Sequence, residues 1–325
     1  MIAYLLSARS RLRWIFIGLL LTVWIAACGP NNPIDTSNPI DFAPNTQIFS
    51  MKVPGSWTQV QNEVPTEYMA AFADPTHRAE MIAYVGLLDH RLTDEEGFKA
   101  VSGLIGNLLN HPADMTVTDQ QRRADGAFDI KVAFTRNNEK RVGEAVIFDN
   151  NLALSGVVSE GPEAFWPDLS NALQPFVKSF QINPENVQGA YFAPVENVGF
   201  SFAGPADWSQ QNNTAGSILH SPSGQLTIMA MQRPLTSTLD SQALQDLAAQ
   251  LMTANGVPGK VITSETLPDG RLKVVFDRPK HRVVGYVDQK DQVFAGLFFD
   301  VPNDRAADYQ PFIDFVYSTF VTGKP

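Results

Sequence analysis

The sequence predicts an α+β fold: a tandem repeat of two α/β/α sandwich domains, each an antiparallel sheet covered by helices on both faces. Three observations carry this. The stretch Phe49-Ser50-Met51-Lys52-Val53-Pro54-Gly55-Ser56-Trp57 returns as Phe200-Ser201-Phe202-Ala203-Gly204-Pro205-Ala206-Asp207-Trp208, with Phe-Ser, Pro and Trp at the same spacing. Each copy reads as a short strand, halted by a proline that cannot donate to a ladder, then a turn delivering a tryptophan. The strand and helix signals after each copy follow the same order. Finally, Val293-Phe294-Ala295-Gly296-Leu297-Phe298-Phe299 is apolar on both alternating faces, so that strand needs cover on both sides.

A chain of 325 residues is long enough for two domains with their own cores. Its formal charge is −10, and charged residues at 18% fall below the usual quarter. An acidic body without a basic stripe argues against nucleic acid as a partner and against charge-driven docking on anionic lipid.

The N-terminus has targeting character. Arg9, Arg11 and Arg13 precede an apolar run, residues 14–27, that is shorter than the roughly 20 residues needed to span a bilayer. The run closes with Ile25-Ala26-Ala27 and then Cys28, the sole cysteine. These residues resemble the lipobox of bacterial lipoproteins. The resemblance implies cleavage before Cys28, lipidation of Cys28, and a lipid anchor on the extracytoplasmic side of the cell membrane. Gly29 is not the aspartate that resembles a retention signal, so an outer-membrane address stays open. The competing readings are a plain signal-anchor helix and an incidental thiol after an ordinary signal peptide. Residues 1–27 are thus the signal peptide, and the Pro- and Asn-rich 28–45 are expected to be the lipidated cysteine and a flexible tether reaching up to about 50 Å. With one cysteine, no disulfide forms within the mature chain.

The first domain is expected over 46–182. After the opening strand come apolar runs at 68–73 and 81–88, separated by the turn Asp74-Pro75-Thr76-His77. Thr93-Asp94-Glu95-Glu96 is a capping box. The helix it starts carries Phe98, Val101, Leu104, Ile105, Leu108 and Leu109 on one stripe and ends before Pro112. Strands follow at 128–136, 141–148 and 152–158, the last two joined by a tight turn at Asp149-Asn150-Asn151. A closing helix from Pro162 runs to Phe180, with Pro175 expected to kink it.

Residues 183–197 are expected to be a linker, and 198–325 the second domain. Strands at 217–220 and 226–232 lead to a helix with Asp240 as N-cap and the stripe Leu244, Leu247, Ala248, Leu251. Lys273-Val274-Val275-Phe276-Asp277-Arg278 then echoes Lys131-Val132-Ala133-Phe134-Thr135-Arg136, a hairpin echoes the first one, and Thr319-Phe320 echoes Ser179-Phe180. A repeat of this period is a domain pair, not a solenoid.

The opening Phe-Ser-x-x-x-Pro-x-x-Trp, the order of elements and the closing Ser-Phe or Thr-Phe resemble PsbP-like domains. That resemblance implies the same sandwich and docking to other proteins rather than catalysis, and it supplies no catalytic residues.

Motifs for nucleophile elbows, zinc proteases, phosphate loops and dinucleotide binding are absent. His77, His90, His111, His220 and His281 are scattered singly without metal-ligand spacing, so neither a metal nor a cofactor is expected. Asp89-His90 stands at a strand end, where sites collect, although neighbours on a strand point to opposite faces. The acids Asp94, Glu95 and Glu96 are explained by the helix dipole. Arg122-Arg123 and Arg278-Pro279-Lys280-His281-Arg282 are basic islands suited to an acidic partner or to a solvated loop, and His281 sits between two cations. Trp57 and Trp208 are expected to close one end of each core rather than stack on a ligand.

The leading expectation is therefore a membrane-anchored, non-catalytic lipoprotein that binds or assembles a protein partner at the cell envelope. The alternatives are a hydrolase or small-ligand-capturing protein with its site at the domain junction, and a structural spacer.

Overall fold

The computed structural model describes residues 34–60, 68–150 and 152–323. Cys28 and the signal segment lie outside the described residues, as does Asn151 of the expected hairpin turn.

The first unit opens with β1 (Ile40–Phe42), β2 (Phe49–Val53), β3 (Thr58–Val60), β4 (Met69–Ala73) and β5 (Glu80–Leu87). Helix α1 (Asp94–Leu108) follows, then β6 (Thr116–Arg122), β7 (Phe128–Arg136), β8 (Glu139–Asp149) and β9 (Ala153–Pro162). It closes with α2 (Trp166–Ser179) and β10 (Gln181–Ile182). Helix α3 (Pro184–Tyr191) leads into the second unit through β11 (Phe192–Asn197), β12 (Phe200–Pro205), β13 (Ser209–Asn213), β14 (Gly216–His220) and β15 (Thr227–Pro234). Then come α4 (Ser241–Ala254), β16 (Lys260–Thr266), β17 (Leu272–Arg278), β18 (His281–Lys290), β19 (Val293–Pro302), α5 (Gln310–Ser318) and β20 (Val321–Thr322).

Each unit is built on a seven-stranded antiparallel sheet, ordered β3-β4-β5-β9-β8-β7-β6 in the first and β13-β14-β15-β19-β18-β17-β16 in the second. Helices lie on both faces. In the first unit Val101 and Ile105 of α1 pack on one face, and Leu169, Leu173 and Phe176 of α2 on the other. In the second, Leu244, Leu247 and Met252 of α4 face Phe294 and Phe298, while Phe312, Ile313 and Val316 of α5 face Leu297 and Phe299. The doubly apolar run is therefore covered twice, as its pattern requires. Phe298 fills its side so closely that a Cβ on Gly285 or Gly296 would meet its ring at 2.5 Å.

The helix starts match their signals. Thr93 N–H donates to Glu96 Oε2 at 3.0 Å and Glu96 N–H to Thr93 Oγ1 at 3.3 Å, a complete capping box. Asp240 accepts from Ala243 N–H at 2.8 Å. Pro175 lies inside α2, which continues past it.

The duplicated signature marks the corner where each unit's start and end meet. β2 pairs with β1 and β10, and β12 with β11 and β20, forming a small three-stranded sheet in each unit. Lys52 N–H donates to Ser179 Oγ at 2.8 Å, and Ala203 N–H to Thr319 Oγ1 at 2.9 Å. The Ser or Thr before the closing Phe thus bonds the opening strand in both copies. Trp57 and Trp208 are buried, and Trp208 stacks on Phe312 with centroids 5.4 Å apart. Their expected packing role holds.

Two expectations change. Residues 34–45, read as tether, are packed on the first unit: β1 pairs with β2, Phe42 meets Phe72 edge-on at 4.8 Å, and Trp57 Nε1 donates to Asp35 O at 2.8 Å. The apolar Ile34 and Phe42 give this stretch enough to bury. Residues 183–197, read as a linker, instead hold α3, capped by Asn183, and β11, an edge strand of the second unit.

Candidate functional site

The loop after β5 is where the two units meet. Asp89 and His90 lie beyond the strand end at Leu87, so the strand rule that points neighbours apart does not apply to them. That expectation is corrected: His90 Nδ1 and Asp89 Oδ1 are hydrogen-bonded to each other. The His90 ring lies 4.9 Å from that of Tyr309 in the second unit, and its Nε2 is 4.0 Å from Glu96 Oε1.

Arg305 of the second unit pins the contact. Its Nη1 bonds Glu96, its Nε donates to Asp308 Oδ2 at 3.0 Å, and its Nη2 donates to Arg91 O at 3.0 Å. Arg91 N–H returns a bond to Asp308 O at 3.0 Å. Burial pushes the Glu96 carboxyl up, but the Thr93 hydrogen bonds and the Arg305 guanidinium outweigh it and hold the carboxyl below its ordinary value. Leu87 and Leu152 of the first unit pack against the second unit's core. Tyr191 joins the two as well. Its hydroxyl donates to Val85 O at 2.6 Å, its ring stacks on Tyr68 at 4.7 Å, and its carbonyl accepts from Ala206 N–H at 2.9 Å.

Beside this contact runs a groove of about 610 Å³ lined by both units: Glu96 from the first, and Gln225, Lys280, His281, Asn303 and Arg305 among others from the second. Asn303 Oδ1 is buried without a hydrogen-bond partner. Ser223 Oγ donates to Asp89 Oδ2 at 3.5 Å rather than to the imidazole. A serine nucleophile needs its base at hydrogen-bond distance, and here the imidazole's second nitrogen faces Glu96 instead.

The remaining candidates are spread over the surface. His77 and His111 adopt positive φ in turns after β4 and α1. His220 Nδ1 is 3.1 Å from Thr227 Oγ1. His281, which the sequence places between two cations, is paired with Asp300, Nδ1 to Oδ1 at 3.0 Å. The basic islands are partly consumed within the fold: Arg278 binds Asp300, Arg123 binds Asp125 at 3.0 Å, and Arg122 lies over the Phe128 ring at 3.8 Å. Lys280 lines the junction groove. Among the described residues no cluster of three or more His, Cys, Asp or Glu is placed to hold a metal ion, and no helix is long and apolar enough to cross a membrane. Sequence reasoning missed Arg305, Asp308 and Tyr309, which carry no local signal because their partners lie some two hundred residues away.

A second groove, of about 410 Å³, lies between α3, β11, β12 and α5. Phe192, Phe202, Ala203 and Phe315 contribute apolar surface, Glu185 and Glu196 line it as well, and no Lys, Arg or His is among its lining residues.

No protein-family model matches the sequence, and no curated protein sequence matches it. Among solved structures the chain is similar to a mutant of protein Mog1, at 15% identity over 45% of this chain and 96% of that one, with a TM-score of 0.33. It is similar to cyanobacterial PsbP (CyanoP) from Synechocystis at 13% identity, 48% and 97% coverage and a TM-score of 0.34. A protein from Bacteroides thetaiotaomicron is similar at 12% identity over 50% of this chain and 52% of that chain, with a TM-score of 0.30.

Proposed function

We propose that this chain is a membrane-anchored, non-catalytic lipoprotein that binds or assembles a protein partner at the cell envelope, with Cys28 as its lipidated N-terminus. The observation that carries the reading is the junction. The His90–Asp89 pair there sits between Glu96 and the Tyr309 ring, and Ser223 bonds Asp89 rather than the imidazole. Two sandwiches joined this way make a broad, firm platform, suited to presenting grooves to another protein. Because the packed body begins by residue 34, the chain from Cys28 reaches at most about 20 Å from the membrane surface. That short reach suits a neighbour in or on the same membrane. An acidic body gives nucleic acid no part in this function.

Two measurements test it. A fatty-acid probe labels the wild type and misses Cys28→Ser. Cross-linking in intact membranes recovers a defined protein partner, and recovery falls as salt rises. Equal labelling of both proteins sinks the anchor.

The second reading, a hydrolase or a small-ligand-capturing protein, is favoured by the junction groove itself, which both units line and in which Asn303 leaves an acceptor unpaired. Turnover of an ester, glycoside or phosphate that disappears in Asp89→Asn or His90→Gln establishes that reading and displaces the first.

A further inference from the structure

We propose that the groove between α3, β11, β12 and α5 is the docking site for a basic segment of the partner, one presenting a lysine or arginine beside an apolar side chain. The inference rests on the protein-binding reading and names the partner's chemistry.

The first argument is charge. Glu185, in the first turn of α3, and Glu196, on β11, are exposed and line a groove that holds no cation. Neither glutamate forms an ion pair among the described residues. Half-buried Ala203 and Phe315 line the same groove over the buried Phe192 and Phe202. A side chain with an apolar stem and a cationic head matches such a surface, its stem on Phe315 and Ala203 and its head at the carboxylates.

The second argument comes from the other copy. Ser179 Oγ accepts from Lys52 N–H as Thr319 Oγ1 accepts from Ala203 N–H, so the two positions are equivalent in the repeat. Lys52 stands directly opposite Asp41 across the β1–β2 pair, whereas Ala203 stands opposite Pro194. The first unit thus supplies its own lysine at this register. The second supplies a methyl group and surrounds the place with acids. Gly189 of α3 adds to the opening, since a Cβ there would meet nothing within 4 Å. Among the described residues β11 pairs with β12 at the edge of its three-stranded sheet, an edge that can receive an extended chain.

The test uses the full-length chain, purified from membranes and held in phosphatidylcholine nanodiscs, with a fluorescein-labelled Ser-Val-Lys-Val-Ser peptide followed by anisotropy. The wild type binds this peptide, more weakly as salt rises, and does not bind the counterpart with Glu in place of Lys. Changing Glu185→Gln and Glu196→Gln together weakens binding about tenfold or more. Ala203→Lys, which restores the first unit's residue, does the same. Glu95→Gln with Asp168→Asn, which removes two exposed acids elsewhere, changes nothing. Thermal melts monitored by circular dichroism check that every variant folds as the wild type does. A wild type that ignores the lysine peptide overturns the proposal. So does binding undiminished by the Gln pair or by Ala203→Lys, which would mean that the peptide reads the acidic surface in general. Where the groove variants lose the peptide but keep the cross-linked membrane partner, the docking site is wrong and the protein-binding function stands. Where no partner is cross-linked to any form, that function itself fails.

Discussion

The two large sheets agree in strand order but end differently beside the β8–β9 and β18–β19 hairpins. In the first unit Arg141, opposite Pro162, places its Nε on Glu160, its Nη1 on Glu139 at 2.9 Å and its Nη2 on Arg78 O. Arg136 completes the cluster, binding Glu160 at 2.9 Å and the C-cap carbonyl of α1, Leu109 O, at 3.2 Å. In the second unit His281 stands opposite Pro302, where Arg141 stands in the first, and Asp300 takes the place of Glu160. The imidazole reaches Asp300 and goes no further. The first copy is sealed by a long side chain whose Nε, Nη1 and Nη2 each find an acceptor within the unit. The second, with a shorter one, is left with a groove beside His281 and with Arg305 reaching across to the other unit. One scaffold thus yields a closed end and an open one, with Arg141 and Glu160 at the first and the shorter His281 and Asp300 at the second.

Breaking the two clusters gives the largest contrast. Arg141 and Glu160 side chains are 5% and 2% exposed, so Arg141→Ala leaves a buried carboxylate with Arg136 as its one remaining cation and costs about 3 kcal/mol. His281 is 38% exposed, and His281→Ala costs about 0–1 kcal/mol. Urea midpoints read both. Equal losses would mean that the two ends are not the closed and open versions of one design.

The next effect is at the junction. Arg305→Ala removes the pin to Glu96, Asp308 and Arg91 O, and costs about 1–2 kcal/mol at a partly exposed site. Its sharper signature is calorimetric. One melting transition becomes two, as the sandwiches stop sharing stability. A single unsplit transition would show that Tyr191, Leu87 and Leu152 suffice to couple the units.

Much of this fold was legible because its signals are local. The capping box at Thr93, the N-cap at Asp240, the helical stripes and the doubly apolar run at residues 293–299 each need only their own neighbours. The edge strands were not legible. β6 reads Thr-Val-Thr-Asp-Gln-Gln-Arg and β13 reads Ser-Gln-Gln-Asn-Asn, both almost wholly exposed, and a strand with no buried face has no alternation to detect. β6 also carries a register shift near Val117, as β16 does near Val261, of the kind that blunts sheet edges. The site was less legible still. Asp89-His90 stood out as a pair, but their meaning depends on Tyr309 and Arg305, brought there only by the packing of one unit on the other.

The smallest effect sharpens the comparison most. Glu80 stands opposite Glu160, and its counterpart in the second sheet, opposite Asp300, is the neutral Thr227. Burial, then the nearby Glu160 charge, pushes the Glu80 carboxyl above its ordinary value, with Arg136 and Arg141 opposing. A carboxyl whose folded pKa is raised binds its proton more tightly in the native state. Stability therefore falls as pH rises from the unfolded pKa through the folded one, and ionised Glu80 is a cost at neutral pH. Glu80→Gln should stabilise the protein at pH 7 by less than either effect above, and the gain should vanish below about pH 4, where the carboxyl is neutral in both states. Thr227→Glu should import the same penalty into the second unit and lower its stability at pH 7. Urea unfolding of both variants across this pH range decides the matter. If Glu80→Gln instead destabilises at pH 7, the Arg136 guanidinium 3.8 Å away outweighs burial, and the first cluster is a satisfied network without a surplus acid.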